Sequence, residues 1–192
     1  MAYIEGRIKE MLTDKRYHHS IGVQKTAIIL AKQYGSSIEK ASIAGLVHDC
    51  AKNTSAEGLL KYAEEFDIIL EDLTKCQPEL LHGMIGAELA KTEFDIFDED
   101  ILNAIRYHTT GRANMTTLDK IIYLADYIEP TRNFSGVQQV REMALSDLDK
   151  ATLMALEHTI NYVIKRGQLL HVDTIHARNY LLLAQDDGNR SE

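Results

Sequence analysis

Residues 119–130 read DKIIYLADYIEP, and the fold turns on what this segment can be. Wound at about 3.6 residues per turn, Ile121, Ile122, Leu124, Ala125 and Ile128 leave almost no polar arc, which describes a helix enclosed by other helices. Pro130 stops it. Asp126 lies within that apolar envelope. A carboxylate ionised and alone there is strongly disfavoured, so it must be paired, hydrogen-bonded or bound to a metal ion.

Helical periodicity extends outward over residues 2–13, 16–34, 37–49, 55–66, 78–93, 98–107, 116–128, 137–145, 147–165 and 174–183, and no segment alternates with period two. The two prolines, Pro78 and Pro130, fall at segment ends. Repeats, low-complexity linkers and breaks in composition are absent from the sequence. The expectation is one all-α domain, a helical bundle over residues 1–185 with a metal centre in its core, and a polar tail, DDGNRSE, over 186–192. At 192 residues the chain is long enough to bury a core without covalent staples.

Composition narrows the partners. Twenty-one Lys and Arg face 29 Asp and Glu, a formal net charge of -8 with no basic block, which argues against general nucleic-acid binding. A small polyanion still fits if metal ions and a few local cations reverse the field inside a pocket. Cys50 and Cys76 form no pairing pattern, no signal-like segment precedes the first helix, and no apolar run nears the ~20 residues that span a bilayer. A soluble protein of the reducing cytoplasm is expected.

The histidines share a placement. On the second segment His19 continues the stripe Val23, Ala27, Leu30 and Tyr34, whereas His18 sits about 100° away. His48 extends Ala41, Ala44 and Gly45; His82 begins Ile85, Gly86 and Leu89; His108 ends Ile101, Ala104 and Ile105. His158 falls opposite the stripe Leu153, Leu156, Ile160 and Val163, which predicts exposure. One histidine on an apolar face is more often a hydrogen-bonded core residue than a ligand. That bland reading must be repeated for His19, His48, His82, His108, Asp49 and Asp126, and it gives no packing reason for adjacent His48 and Asp49 in AGLVHDCAK, residues 44–52.

Imidazole and carboxylate suit iron, manganese, cobalt, nickel or zinc, whereas calcium wants more oxygen and structural zinc usually wants cysteine. Six protein ligands exceed what one catalytic ion accepts with a position left open, so two ions are expected. Asp49, whose two oxygens can face different ions, is the natural bridge.

RYHHSIGV, GLVHDCAK, LLHG, YHTTGR and LADYIEPTRN, in this order, resemble the HD superfamily of metal-dependent phosphohydrolases. Within it the chain is similar to the bacterial YqeK-type symmetrical diadenosine tetraphosphate hydrolases, over roughly residues 16 to 180. The resemblance implies that His19, His48, Asp49 and Asp126 form the common HD metal site and that His82 and His108 add the second metal. It also implies iron, and cleavage between the central phosphates to give two ADP.

Water bridging two cations loses a proton near neutral pH and can attack phosphorus in line, with Asp49 positioning it. Lys52, one turn beyond His48, is expected to lean toward the attacked phosphate, and Arg16, one turn before His19, to grip phosphate with its planar fork. Thr109, Thr110 and Arg112 of HTTGR, and Arg132 and Asn133 of PTRN, are expected substrate contacts. Glu129, one turn past Asp126, is a reserve ligand or a partner to one. Another HD-type nucleotide phosphohydrolase, or a nucleotide-binding regulator without turnover, stays open as an alternative. A homodimer through the apolar helix 153–164 also stays open.

Overall fold

The computed structural model describes residues 1–189 and is helical throughout, with no strand among the described residues. The helices are α1 (Ala2–Met11), α2 (Asp14–Gln33), α3 (Ile38–Val47), α4 (Ala56–Glu65), α5 (Asp72–Cys76), α6 (His82–Phe94), α7 (Glu99–Arg106), α8 (Thr117–Ile128), α9 (Val137–Ala144), α10 (Leu148–Lys165) and α11 (Val172–Asn189). A 3-10 turn over Pro78–Leu81 leads into α6.

Helix α8 is the axis. Ile121, Ile122, Leu124 and Ala125 have no exposed surface, and α2, α3, α7, α9 and α10 pack around it. α2 and α3 approach closely because Gly45 carries no side chain: a Cβ there would lie 2.9 Å from the Cα of Gln24. Side-chain caps set the starts of α3, α4, α7, α8 and α10. Ser37, Ser55, Asp98 and Asp147 accept hydrogen bonds from backbone N–H groups of the first turns of α3, α4, α7 and α10. Thr116 and Asp119 cap α8 reciprocally.

The observed elements depart from the periodicity where the chain turns tightly. α3 stops at Val47, not at residue 49, and the chain leaves it through turns in which Cys50 N–H donates to Val47 O and Lys52 N–H to Asp49 O, both at 2.9 Å. On a continuing helix His48 and Asp49 would point about 100° apart; in this turn both are buried. α5 was not expected, being too short for a period to show. The backbone of α11 continues beyond residue 183 to Asn189, into the expected tail, and residues 190–192 lie outside the described residues. Among the described residues, no helix is long and apolar enough to cross a membrane.

Candidate metal centre and adjoining cavity

Five elements end or begin at one end of the bundle, and each brings one or two polar side chains there. His19 comes from the first half of α2, His48 and Asp49 from the turn after α3, His82 from the start of α6, His108 from the turn after α7, and Asp126 from the last turn of α8. The four histidines and Asp49 are buried; Asp126 is partly exposed. His18 is exposed and bonds only its own helix, at Asp14 O, so His19 is the inward member of that pair.

Helix ends set the ring orientations. The last four carbonyls of a helix lack intrahelical partners. His48 Nδ1 meets Gly45 O at 2.8 Å and His108 Nδ1 meets Ile105 O at 2.7 Å, each a carbonyl of the helix just ended. His82 Nδ1 meets Glu79 O, in the 3-10 turn, at 2.6 Å. A carbonyl can only accept, so Nδ1 carries the hydrogen in all three rings and Nε2 presents a lone pair. His19 lies within a helix, where no free carbonyl is at hand. Its Nδ1 instead meets the buried Glu129 carboxylate at 3.1 Å. Gly22 makes room for that carboxylate, since a Cβ there would lie 2.7 Å from Glu129 Oε2. Thr131 donates to Glu129 from its N–H at 2.8 Å and from its hydroxyl.

Four Nε2 atoms thus converge on two carboxylates. Asp49 Oδ2 lies 3.8 Å from His19 Nε2 and 3.7 Å from His48 Nε2; Asp49 Oδ1 lies 3.4 Å from His82 Nε2 and 3.5 Å from His108 Nε2. Asp126 Oδ1 is 3.0 Å from His19 Nε2 and 3.9 Å from His48 Nε2. His82 and His108 approach Nε2 to Nε2 at 3.0 Å.

Burial is the largest influence on His19, His48, Asp49, His82 and Asp126. It pushes His48 down to about 4 and His82 to about 3, the latter helped by His108 and Lys52, so both rings are neutral at pH 7. Burial also opposes ionisation of Asp49 and Asp126, but the surrounding His48, His108 and Lys52, and His19, His48 and Arg132, respectively, hold both carboxylates below their usual range. For His19 burial is outweighed by Asp126 and Glu129, which favour its charged form. That negative potential favours a metal cation equally.

The donors fit a metal ion. His19 Nε2 and His48 Nε2 are buried without any hydrogen-bond partner, which is rare unless a bound species satisfies them. Lone pairs facing carboxylate oxygens repel unless a cation stands between them. Ligands about 2.1 Å from one ion lie roughly 3–4 Å apart, and the carboxylate-to-imidazole distances within His19, His48 and Asp126 and within His48, Asp49 and His108 run from 3.0 to 3.9 Å. The two oxygens of Asp49 divide the donors into two sets.

Cations surround the cluster. Lys52 Nζ is 3.0 Å from His82 Nε2, Arg16 Nη1 donates to Asp49 Oδ2 at 3.0 Å, and Arg132 donates to both the side chain and the backbone carbonyl of Asp126. A cavity of about 520 Å³ opens beside His19 between the start of α2 and the loop after α8, with Lys15, Arg16, Arg132, Asn133 and Phe134 in its wall. The Thr109 hydroxyl is 3.0 Å from His108 Nε2 and 3.1 Å from His82 Nε2.

Two expected substrate contacts are turned elsewhere. The buried Thr110 hydroxyl donates to Gly111 O, and Arg112 grips Asp119 Oδ2 at 2.7 Å while lying over the Tyr107 ring. Capping α8 buries the Asp119 carboxylate, and the nearby guanidinium is what neutralises it. His158 is half-buried, not exposed, because the loop after α8 folds over it at Gly136. Lys15 and Phe134 escaped the sequence reading. Lys15 precedes Arg16 at the same helix start, a signal that was available; Phe134 follows Asn133 in a segment without period, where none was.

The HD domain family matches residues 16–131. The symmetrical bis(5'-nucleosyl)-tetraphosphatase of Halalkalibacterium halodurans is 46% identical over 93% of this chain and 95% of its own, and that of Bacillus subtilis is 42% identical over 91% and 94%. A crystal structure from Clostridium acetobutylicum, described as a predicted HD superfamily hydrolase involved in NAD metabolism, superposes with a TM-score of 0.92 at 50% identity, covering 94% of this chain and 96% of that one. A shared helical frame, near-complete coverage and the His-Asp pair at the turn after α3 lead to one conclusion: the chain belongs to the HD domain family, in the branch that holds the symmetrical bis(5'-nucleosyl)-tetraphosphatases.

Proposed function

We infer that this chain is a metal-dependent phosphohydrolase that splits dinucleoside tetraphosphates symmetrically, converting diadenosine tetraphosphate and water into two ADP. The two tetraphosphatase relatives supply the reaction. In the chain itself, the supporting observation is the outward hydrogen bonding of four histidine Nδ1 atoms, which leaves four Nε2 lone pairs directed at Asp49 and Asp126. In this reading His19, His48 and Asp126 would hold one ion and His82 and His108 a second, with Asp49 offering a donor oxygen to each. Iron is the favoured metal, and manganese, cobalt, nickel and zinc suit the same nitrogen and oxygen donors. When bound, such ions make water acidic enough to act as a nucleophile near neutral pH and neutralise phosphoryl charge.

The chain's own residues bind and orient the polyphosphate. Lys52 turns its ammonium toward the attacked phosphate, while Arg16 and Arg132 grip phosphate oxygens with planar forks. Thr109 and Asn133 add neutral donors. Glu129 fixes the His19 ring. The water oxygen bonds to one central phosphorus; the bond from that phosphorus to the central bridging oxygen breaks, and the second ADP leaves with that oxygen. Attack on either central phosphorus yields the same products.

The test is chromatography of the products formed by anaerobically purified full-length protein, with elemental analysis of the same sample. ADP alone is expected, with two metals per chain falling to one in His82→Ala. ATP plus AMP would overturn symmetrical cleavage. Turnover no faster than in a metal-only control would leave a nucleotide-binding regulator.

A further inference from the structure

Helix α8 delivers Asp126 and then stops without the usual closing device. Pro130 has no N–H with which to continue it, Glu129 leaves it with ψ 156, and no glycine stands at residues 129–133 to fold the chain back over the last carbonyls. Those carbonyls have no partners within the helix. Two arginines take them instead. Arg132 donates from Nε to Asp126 O at 2.8 Å, and Arg141, half-buried on α9, donates from Nε to Ile128 O at 2.8 Å and from Nη2 to Glu129 O at 2.9 Å. Arg141 Nη2 also reaches Arg132 O at 2.7 Å.

All three Arg141 bonds end on backbone, and they bracket the turn in which Arg132 N–H donates to Glu129 O at 3.0 Å. Guanidinium is planar, with its N–H groups in a fixed fork, so carbonyls caught by it are held relative to one another. The side chains on that turn serve the centre. Glu129 sends its carboxylate to His19 Nδ1 at 3.1 Å, Thr131 N–H holds that carboxylate at 2.8 Å, and Arg132 grips Asp126. Glu129 Oε1 is also 3.9 Å from Arg132 Nε. If the turn loosens, that carboxylate can close on the guanidinium, and His19 loses its partner while phosphate loses a cation.

We propose that Arg141 is a positioning residue for the metal centre and its phosphate grip: by clasping the carbonyls of Ile128, Glu129 and Arg132, it sets the turn from which Glu129 orients His19 and Arg132 faces the cavity. This rests on the reading of the centre as that of a metal-dependent phosphohydrolase. Arg141 acts through the backbone and contacts neither metal nor substrate.

Manganese competition against a chelator, and calorimetric titration of the manganese-loaded full chain with inorganic pyrophosphate, test this. Arg141→Ala is expected to weaken manganese binding about tenfold, the low end for loss of a partner behind a metal-binding histidine, and pyrophosphate binding by roughly tenfold at saturating manganese. Arg141→Lys, with one ammonium in place of a planar fork, should fall between Arg141→Ala and the parent protein, and it carries the comparison if Arg141→Ala loses the parent's circular dichroism. Millimolar guanidinium should restore part of both losses in Arg141→Ala, and ammonium at equal ionic strength should not. Gln138→Ala, which removes an exposed side chain from the same helix, should match the parent. A lower Tm for Arg141→Ala with both affinities within about twofold of the parent would make Arg141 a helix cap and overturn the positioning role, as would parent affinities in Arg141→Lys, while the phosphohydrolase reading would stand. Failure of the parent protein to bind manganese would remove both.

Discussion

Glu129 does for His19 what orphan carbonyls do for the other three rings, and Gly22 is the space it needs. Removing such a partner of a metal-binding histidine typically lowers metal affinity 10- to 100-fold, and Glu129→Ala is expected to do so in a competition titration against a chelator. Gly22→Ala should weaken binding about tenfold by displacing the carboxylate, although alanine favours helix α2 by about 1 kcal/mol. Unchanged affinity in both variants would mean that Glu129 does not set the ring. At this scale the inward histidines were legible because helical phase alone separates His19 from His18. The Nδ1 partners were not, since they depend on where each helix stops. The structure buries Cys50 and pushes its thiol up to about 12. An alkylating reagent at pH 8 should therefore label only the exposed Cys76 in native protein and both thiols after denaturation.

Among the elements, α8 supplies Asp126 from its end and demands a sound start. The cap couples Thr116 and Asp119, and Arg112 neutralises the buried carboxylate. Arg112→Ala is thus predicted to lower stability by roughly 2–3 kcal/mol, less than the 3–5 kcal/mol of a fully buried broken pair because the guanidinium is partly exposed. That corresponds to about 5–10 °C in Tm for a chain of this size, while KM for diadenosine tetraphosphate stays within about twofold; a raised KM with unaltered Tm would instead restore Arg112 to the substrate. The N-caps Ser37, Ser55, Asp98, Thr116 and Asp147 stood at the expected helix starts because side-chain caps are local chemistry. The turn after α3 was hidden in a run of helix-compatible residues. Its tight geometry is set by tertiary packing, and it is what lets His48 and Asp49 face the same point.

For the whole molecule, the centre gathers carboxylates and imidazoles from helices that otherwise pack through aliphatic side chains. A net charge of -8 repels a tetraphosphate from most of the surface. Attraction is confined to the end where Lys15, Arg16, Lys52 and Arg132 surround the donors. An ion bound between α2, α3, α6, α7 and α8 also links those helices, so metal binding and folding stability are coupled. At free metal about 100 times Kd, one site adds roughly 2.7 kcal/mol to unfolding, or about 5–10 °C in Tm for a chain of this length. Scanning calorimetry with and without a strong chelator should show a fall of at least that size, reversed by adding manganese. His48→Ala should abolish most of the difference, because its Nε2 belongs with Asp126 on one side and Asp49 on the other. His158→Ala, whose ring meets Tyr127 and Gly136 and is not one of the converging donors, should keep the full chelator shift. Equal Tm values with and without chelator in the parent protein would show that the converging donors bind no ion tightly enough to organise the bundle.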